Sequence, residues 1–160
     1  MAGPSGRSAR RGHRHCFQHG MSMATPCRIL TVDDEASVTM SLKFVFPAPR
    51  YEVLCVASGD EALTNLEANA SAYDVIIVDQ KMPNLSGVEL VEAIRQRNIP
   101  GEIIVLSAHL TSEMREAYHR LNVHAIFPKP FDLNELRASV GQLAAASSTG
   151  SWEPDGMTPR

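Results

Sequence analysis

Apolar residues along this chain fall into short unbroken runs that alternate with segments of helical spacing. Val75, Ile76, Ile77 and Val78 are consecutive and β-branched, too short for a helix and apolar on both faces of any strand. Such a run predicts a central strand of a parallel sheet, covered above and below by helices. Ile29–Val32 and Ile103–Leu106 are similar runs; Tyr51–Val56 and Val123–Phe127 complete a set of five strands. Between them lie helical rows. Val38, Leu42 and Val45 place a helix over about 36–46, stopped by Pro47 and Pro49. Ala62, Leu63 and Leu66 follow Ser58, whose spacing to Glu61 is that of a capping box. Leu90, Val91 and Ile94 mark a helix at about 88–97, and Leu110, Met114, Ala117 and Leu121 mark a fourth. Leu133, Leu136, Val140 and Leu143 form the last, with Asp132 as its cap.

Strands each followed by a helix, with connections too long for hairpins, pair in parallel through right-handed crossovers. The expected fold is α/β, a doubly wound five-stranded parallel sheet in the flavodoxin-like order 2-1-3-4-5. Strands 1 and 3 then lie side by side at the switch point, where open sheets place their ligands. Residues 27–146 carry this pattern. Residues 1–26 are rich in Arg, Gly, Ser and His without an acidic residue, and residues 147–160 in Ser, Thr, Gly and Pro. The first segment reads as a disordered basic lead-in, the second as a disordered tail or linker. His13, His15, Cys16 and His19 in the lead-in are of transition-metal ligand type, although a plain basic tail accounts for them as well.

Composition narrows the functional classes. A net charge of −3 argues against nonspecific nucleic-acid binding, which needs a basic surface. No apolar run approaches the roughly 20 residues of a membrane span. Cys16, Cys27 and Cys55 are odd in number and show no C-x-x-C spacing, so a reduced, cytoplasmic setting is expected rather than a disulfide framework or a zinc site.

The chemistry collects at the strand ends: Asp33 and Asp34 after the first strand, Asp79 after the third, Ser107 after the fourth, Lys129 after the fifth. Three crowded carboxylates repel and call for a cation, and an all-oxygen set favours Mg²⁺ or a similar hard ion. A serine hydroxyl and a lysine ammonium at the same rim suit phosphate oxygens. An aspartate held in this way is a candidate nucleophile for an acyl phosphate.

The chain resembles the receiver domains of two-component response regulators, chemotaxis-regulator-like in extent. The matching elements are V-D-D-E at 32–35, I-I-V-D-Q-K-M-P-N-L-S-G at 76–87, V-L-S-A at 105–108 and K-P-F-D at 129–132. The resemblance implies that Asp79 accepts a phosphoryl group from a phosphohistidine on a sensor histidine kinase or a phosphotransfer protein. It implies that Asp34, Asp79 and the Lys81 backbone carbonyl hold Mg²⁺, with Asp33 acting through water. Ser107, the Ala108 amide and Lys129 would bind phosphoryl oxygens, and the Lys129–Pro130 peptide would be cis. A conformational change of the face formed by the fourth helix, fifth strand and fifth helix would carry the signal to an output protein or a fused output domain, or into a phosphorylation-dependent homodimer.

Ile126 departs from the pattern. It stands where receivers usually carry Tyr or Phe, and Phe127 points to the opposite face of the strand, so a rotating aromatic there is not the expected coupling device. Asn122 likewise stands where a glycine often opens the fifth strand. Lys81 and His109, each two residues beyond a site residue, are expected to tune the lifetime of the phosphoryl group. Two other classes compete. A Mg²⁺-dependent phosphohydrolase would place a second acid two residues after its nucleophile, where this chain has Lys81. A degenerate receiver serving only as a docking scaffold would not need the full Asp/Asp/Asp/Ser/Lys set. The output is expected to be a protein contact, or to belong to a longer chain of which this is a piece.

Overall fold

In the computed structural model, residues 25–148 are described. Five strands, β1 (Cys27–Val32), β2 (Tyr51–Val56), β3 (Val75–Asp79), β4 (Glu102–Ser107) and β5 (Ala125–Pro128), alternate with five helices: α1 (Ala36–Val45), α2 (Gly59–Ala68), α3 (Gly87–Gln96), α4 (Ser112–Arg120) and α5 (Leu133–Ser148). All four strand pairs are parallel and the order is β2-β1-β3-β4-β5. Every residue of β3 is buried, as its all-apolar sequence requires of the central strand, while the edge strands β2 and β5 are partly open. The sheet is covered on both faces. Ala62 and Leu66 of α2, Leu90, Val91 and Ile94 of α3 and Tyr118 of α4 pack on Leu30, Ile76, Val78, Ile103 and Val105. Leu42 of α1 and Leu136, Val140 and Leu143 of α5 pack on Ile29, Val75, Ile77, Ile104 and Leu106 from the other side. The alternating strand residues therefore feed two separate cores.

The expected elements are all present, with shifted ends. β5 begins at Ala125, not Val123. Val123 N donates to Tyr118 O (3.3 Å) and Asn122 N to His119 O (3.2 Å), so both residues close α4, with Asn122 at φ 53° in the left-handed region. This is the Schellman arrangement, in which Asn takes the place of the usual glycine. α4 starts at Ser112, with the Thr111 side chain accepting from Met114 N. Its wholly buried anchor is Tyr118, next to the expected Ala117. β1 and β4 each gain residues at their starts, and α5 runs to Ser148.

The capping box expected at Ser58 is half realised. Its hydroxyl accepts from Glu61 N, but the Glu61 carboxylate accepts from Ala57 N, one residue early. The complete box is at Ser86 and Glu89, opening α3 immediately after the β3 loop. At the other end of α3 the Arg95 guanidinium donates to the carbonyls of Leu121, Asn122 and Gly101. One side chain thus satisfies carbonyls left open at the end of α4 and ties them to α3. The His13, His15, Cys16 and His19 group lies outside the described residues.

Candidate functional site

Because every strand is parallel, all five carboxyl ends meet at one edge. β1 delivers Asp33 and Asp34. Asp33 is buried, its N–H bound to Val56 O and its carboxylate accepting from Glu35 N at 2.8 Å, whereas Asp34 is exposed. β3 delivers Asp79, 3% exposed. Past Asp79 the ladder continues one step, Gln80 N donating to Leu106 O, and the loop closes when Gly87 N donates to Gln80 O. β4 ends in Ser107, whose hydroxyl donates to the His109 carbonyl at 2.9 Å. Lys129 N donates to Ser107 O, which holds the end of β5 against that of β4. The Lys129 ammonium then reaches across the edge, 3.0 Å from Asp79 Oδ1 and 3.4 Å from Asp33 Oδ2. The Lys129–Pro130 peptide is cis.

One carboxylate oxygen from each of Asp33, Asp34 and Asp79 lies within 4.8 Å of the others. Asp34 and Asp79 face a cleft of about 460 Å³ lined also by Glu35, Lys81, Met82, Pro83, Ala108 and Lys129. Ser107 is buried at the end of β4, while exposed Ala108 and His109 begin the β4–α4 loop. Ile126 belongs to the core on the α2–α3–α4 side, and Phe127 packs on the α1–α5 side. A larger groove of about 590 Å³, between α1 and α5, is mainly apolar and holds none of these groups.

Burial pushes the Asp33 carboxyl up; the neighbouring Asp79 adds to this, while the Glu35 N–H and Lys129 oppose it. Burial likewise raises Asp79, partly offset by Lys129 and the Lys81 N–H, with Asp34 pushing further up. Burial works against the Lys129 charge, but its bonds to Asp79 and Asp33 prevail and hold it above the ordinary lysine value. Two buried acids held from ionising, with Asp34 beside them and one lysine serving both, make an all-oxygen set that fits a hard divalent cation.

The sign of the pH response follows. An acid whose folded pKa lies above its unfolded value contributes stability that is complete below the unfolded pKa, about 4, and is lost as pH rises through the raised value. In EDTA, the thermal stability of the wild type relative to Asp79→Asn should therefore fall as pH rises from about 4 through the mildly acidic range. The stabilisation gained on adding Mg²⁺ should grow over the same window, as protons stop competing. Unfolding midpoints at stepped pH, with and without Mg²⁺, measure both. A difference between the two proteins that stays flat with pH would contradict the assignment of cause.

Gln80, Gly87 and Tyr118, which adjoin this site, were not among the expected site residues. Gly87 figures in the sequence only as the last residue of the 76–87 motif, and Tyr118 falls beside an apolar row rather than in it.

The chain matches the family model described as the response regulator receiver domain over residues 29–141. It is 35% identical over 135 residues to the transcriptional regulatory protein PrrA of Mycobacterium leprae, covering 82% of this chain and 57% of that protein. It is 27% identical to sporulation initiation phosphotransferase F of Bacillus subtilis, covering 71% of this chain and 90% of that one. Against PhoP of B. subtilis, the alkaline phosphatase synthesis regulator, it covers 52% of the relative, so the chain spans about half the length of several of the curated relatives it matches. Among solved structures, the Francisella response regulator 1452 receiver domain superposes with a TM-score of 0.69 at 29% identity, over 76% of this chain and 98% of that one. CheY4 of Vibrio cholerae superposes with a TM-score of 0.66 at 27% identity, over 74% and 98%. The order of strands, the acid cluster at their carboxyl edge and these matches agree: the chain belongs to the response regulator receiver domain family, the signalling domains of two-component systems.

Proposed function

We propose that Asp79 is the phospho-acceptor of this receiver, charged by a phosphohistidine on a sensor histidine kinase or a phosphotransfer protein. The observation that carries the reading is the Asp79 carboxylate, buried at the sheet edge with Lys129 at 3.0 Å and two further acids beside it. An Asp79 oxygen attacks phosphorus, the bond from phosphorus to the histidine nitrogen breaks, and a mixed anhydride forms. Lys129, now shared by two carboxylates, pairs with a phosphoryl oxygen as that charge arrives. The Ser107 hydroxyl leaves the His109 carbonyl to donate to another, and the Ala108 amide assists. Mg²⁺, held by Asp34, Asp79 and the Lys81 carbonyl, with Asp33 through water, would neutralise charge on the phosphoryl group. Movement of Ser107 draws the β4–α4 loop with it, and the α4–β5–α5 face becomes the output surface for a partner protein, a fused domain or a second copy.

A protein donor fits the surroundings of the cleft. A neighbouring groove shares Glu35 and Lys129 with it and runs past Pro130 to Ser41 and Leu133, where it meets the groove beside the exposed Phe44 and Met40. Exposed apolar surface of this kind marks protein contacts. No helix among the described residues is long and apolar enough to cross a membrane, and the reading places the domain, residues 27–146, in the cytoplasm.

Incubation with acetyl phosphate and Mg²⁺, followed by intact mass, tests the reading. One acid-stable, base-labile phosphoryl group is expected, and none in EDTA; continuous release of inorganic phosphate at enzymatic turnover would favour the phosphohydrolase, and no mass gain the docking scaffold. Lys81 lines the cleft and exposed His109 follows Ala108, which also lines it; in this reading both flank the route of attacking water. Lys81→Asn should change the decay rate of the phosphorylated protein several-fold, measured by loss of the added mass with time. An unchanged decay would remove Lys81 from that role.

A further inference from the structure

With Ile126 on β5, the aromatic of this part of the core comes from another element. Tyr118 of α4 is the largest side chain wholly buried among the described residues, and it shares a cluster with Ile126, Val78 and Val105. Its hydroxyl has no hydrogen-bond partner among the described residues. Neither has Oε1 of Gln80, the buried residue directly after Asp79. Both residues converge on Gly87: a Cβ added there would stand 2.7 Å from the Tyr118 hydroxyl oxygen, 2.8 Å from Gln80 Cα and 2.9 Å from the Asp79 carbonyl oxygen. The missing side chain of Gly87 is what lets a tyrosine from α4 reach the backbone of the acceptor segment. The two orphans are complementary, since a phenol O–H donates and an amide oxygen accepts. Buried polar atoms are seldom left unpaired, and such a group in a native fold calls for a reason.

We propose that Tyr118 and Gln80 form a latch that reports the state of Asp79 to α4: open in the unphosphorylated protein, it closes by donation from the Tyr118 hydroxyl to Gln80 Oε1 when Asp79 carries a phosphoryl group. The latch rests on the reading of Asp79 as acceptor. Gln80 is tied to the sheet through its N–H to Leu106 O and to the loop through its carbonyl to Gly87 N, so a change at Asp79 is passed directly to it. The donor stays available at all ordinary pH, because burial first and the nearby Asp79 charge second push the Tyr118 hydroxyl pKa upward. Added negative charge on Asp79 strengthens that tendency. Closing the latch satisfies two buried atoms at once, and through the Tyr118 ring it acts on the last turn of α4, the end that Arg95 also holds.

The test compares wild type, Tyr118→Phe, Gln80→Met and the double variant by NMR, before and after phosphorylation with acetyl phosphate and Mg²⁺. All four should gain one phosphoryl group by intact mass. In the wild type the Tyr118 ¹³Cζ resonance should move on phosphorylation, with shifts of the α4 amides at 112–120; in Gln80→Met the ¹³Cζ should stay. Each single variant should lose more than half of the α4 shifts, and the double variant no more than either single. Unphosphorylated Tyr118→Phe should melt no lower than wild type, since the oxygen it loses has no hydrogen-bond partner among the described residues. A phosphorylated wild type with an unmoved ¹³Cζ, full α4 shifts in Tyr118→Phe, or a clear loss of its thermal stability would overturn the latch while leaving Asp79 as acceptor. A wild type that takes no phosphoryl group would remove both.

Discussion

Asp79→Asn is expected to take up no phosphoryl group from acetyl phosphate, while remaining folded and melting higher than wild type when metal is absent. The two effects have one origin. The wild-type carboxylate is buried beside Asp33 and Asp34, and the balance of burial, repulsion and the Lys129 pair disfavours its charged form. An amide of the same shape removes the charge and the repulsion, and it leaves Lys129 paired to Asp33 at 3.4 Å. The gain should be about 1 kcal/mol, or roughly 3–6 °C for a domain of this size. The loss of acceptance should be complete, because the amide lacks the nucleophilic oxygen that forms the anhydride. Intact mass and a melting curve on the same preparation read both. Phosphorylation that survives in Asp79→Asn would move the acceptor to Asp33 or Asp34.

Gly87→Ala is the second large effect, and it reaches the site without touching a charged group. Two of the three atoms that an added methyl would meet are backbone, the Gln80 Cα and the Asp79 carbonyl oxygen, at 2.8 and 2.9 Å. Backbone in a fully buried central strand has little room to yield, so the cost should lie at the upper end of overpacking, about 3 kcal/mol, lowering Tm by roughly 10 °C. Relief has to come from the segment that carries Asp79, and displacement of a reacting group on that scale should slow phosphoryl uptake by roughly tenfold or more. Adding Tyr118→Phe should recover little, since it relieves one contact of the three. A Gly87→Ala protein with wild-type melting and uptake would show that the loop from Gln80 to Gly87 is free to shift.

The central strands were legible because burial on both faces leaves room for nothing but apolar residues, so β3 announced itself through Val75–Val78 and the acid that ends it. Once the strands are parallel, their ends must share an edge, and that sufficed to gather Asp33, Asp79, Ser107 and Lys129 across widely separated positions. Less legible were features that depend on a single side chain's direction. Val123 continues an alternating pattern, yet the left-handed turn at Asn122 assigns it to the end of α4. Tyr118 is amphipathic, and spacing alone favours the smaller Ala117 beside it. The role of Gly87 is a matter of distance between elements, which one-dimensional pattern does not carry. Ser58–Glu61 and Ser86–Glu89 have the same spacing, and only the second closes as a full box, a difference of side-chain direction that spacing does not carry.

The Arg95 fork has a mechanical consequence. By fastening the last carbonyls of α4 to α3, it makes that end of the nine-residue helix a fulcrum. A pull applied where Ser107 and His109 lead into the helix then tilts it rather than sliding it, and the excursion grows along its length of about 13 Å. The greatest travel falls at Thr111 and Ser112, so a partner that reads this domain gains most from gripping the first turn of α4.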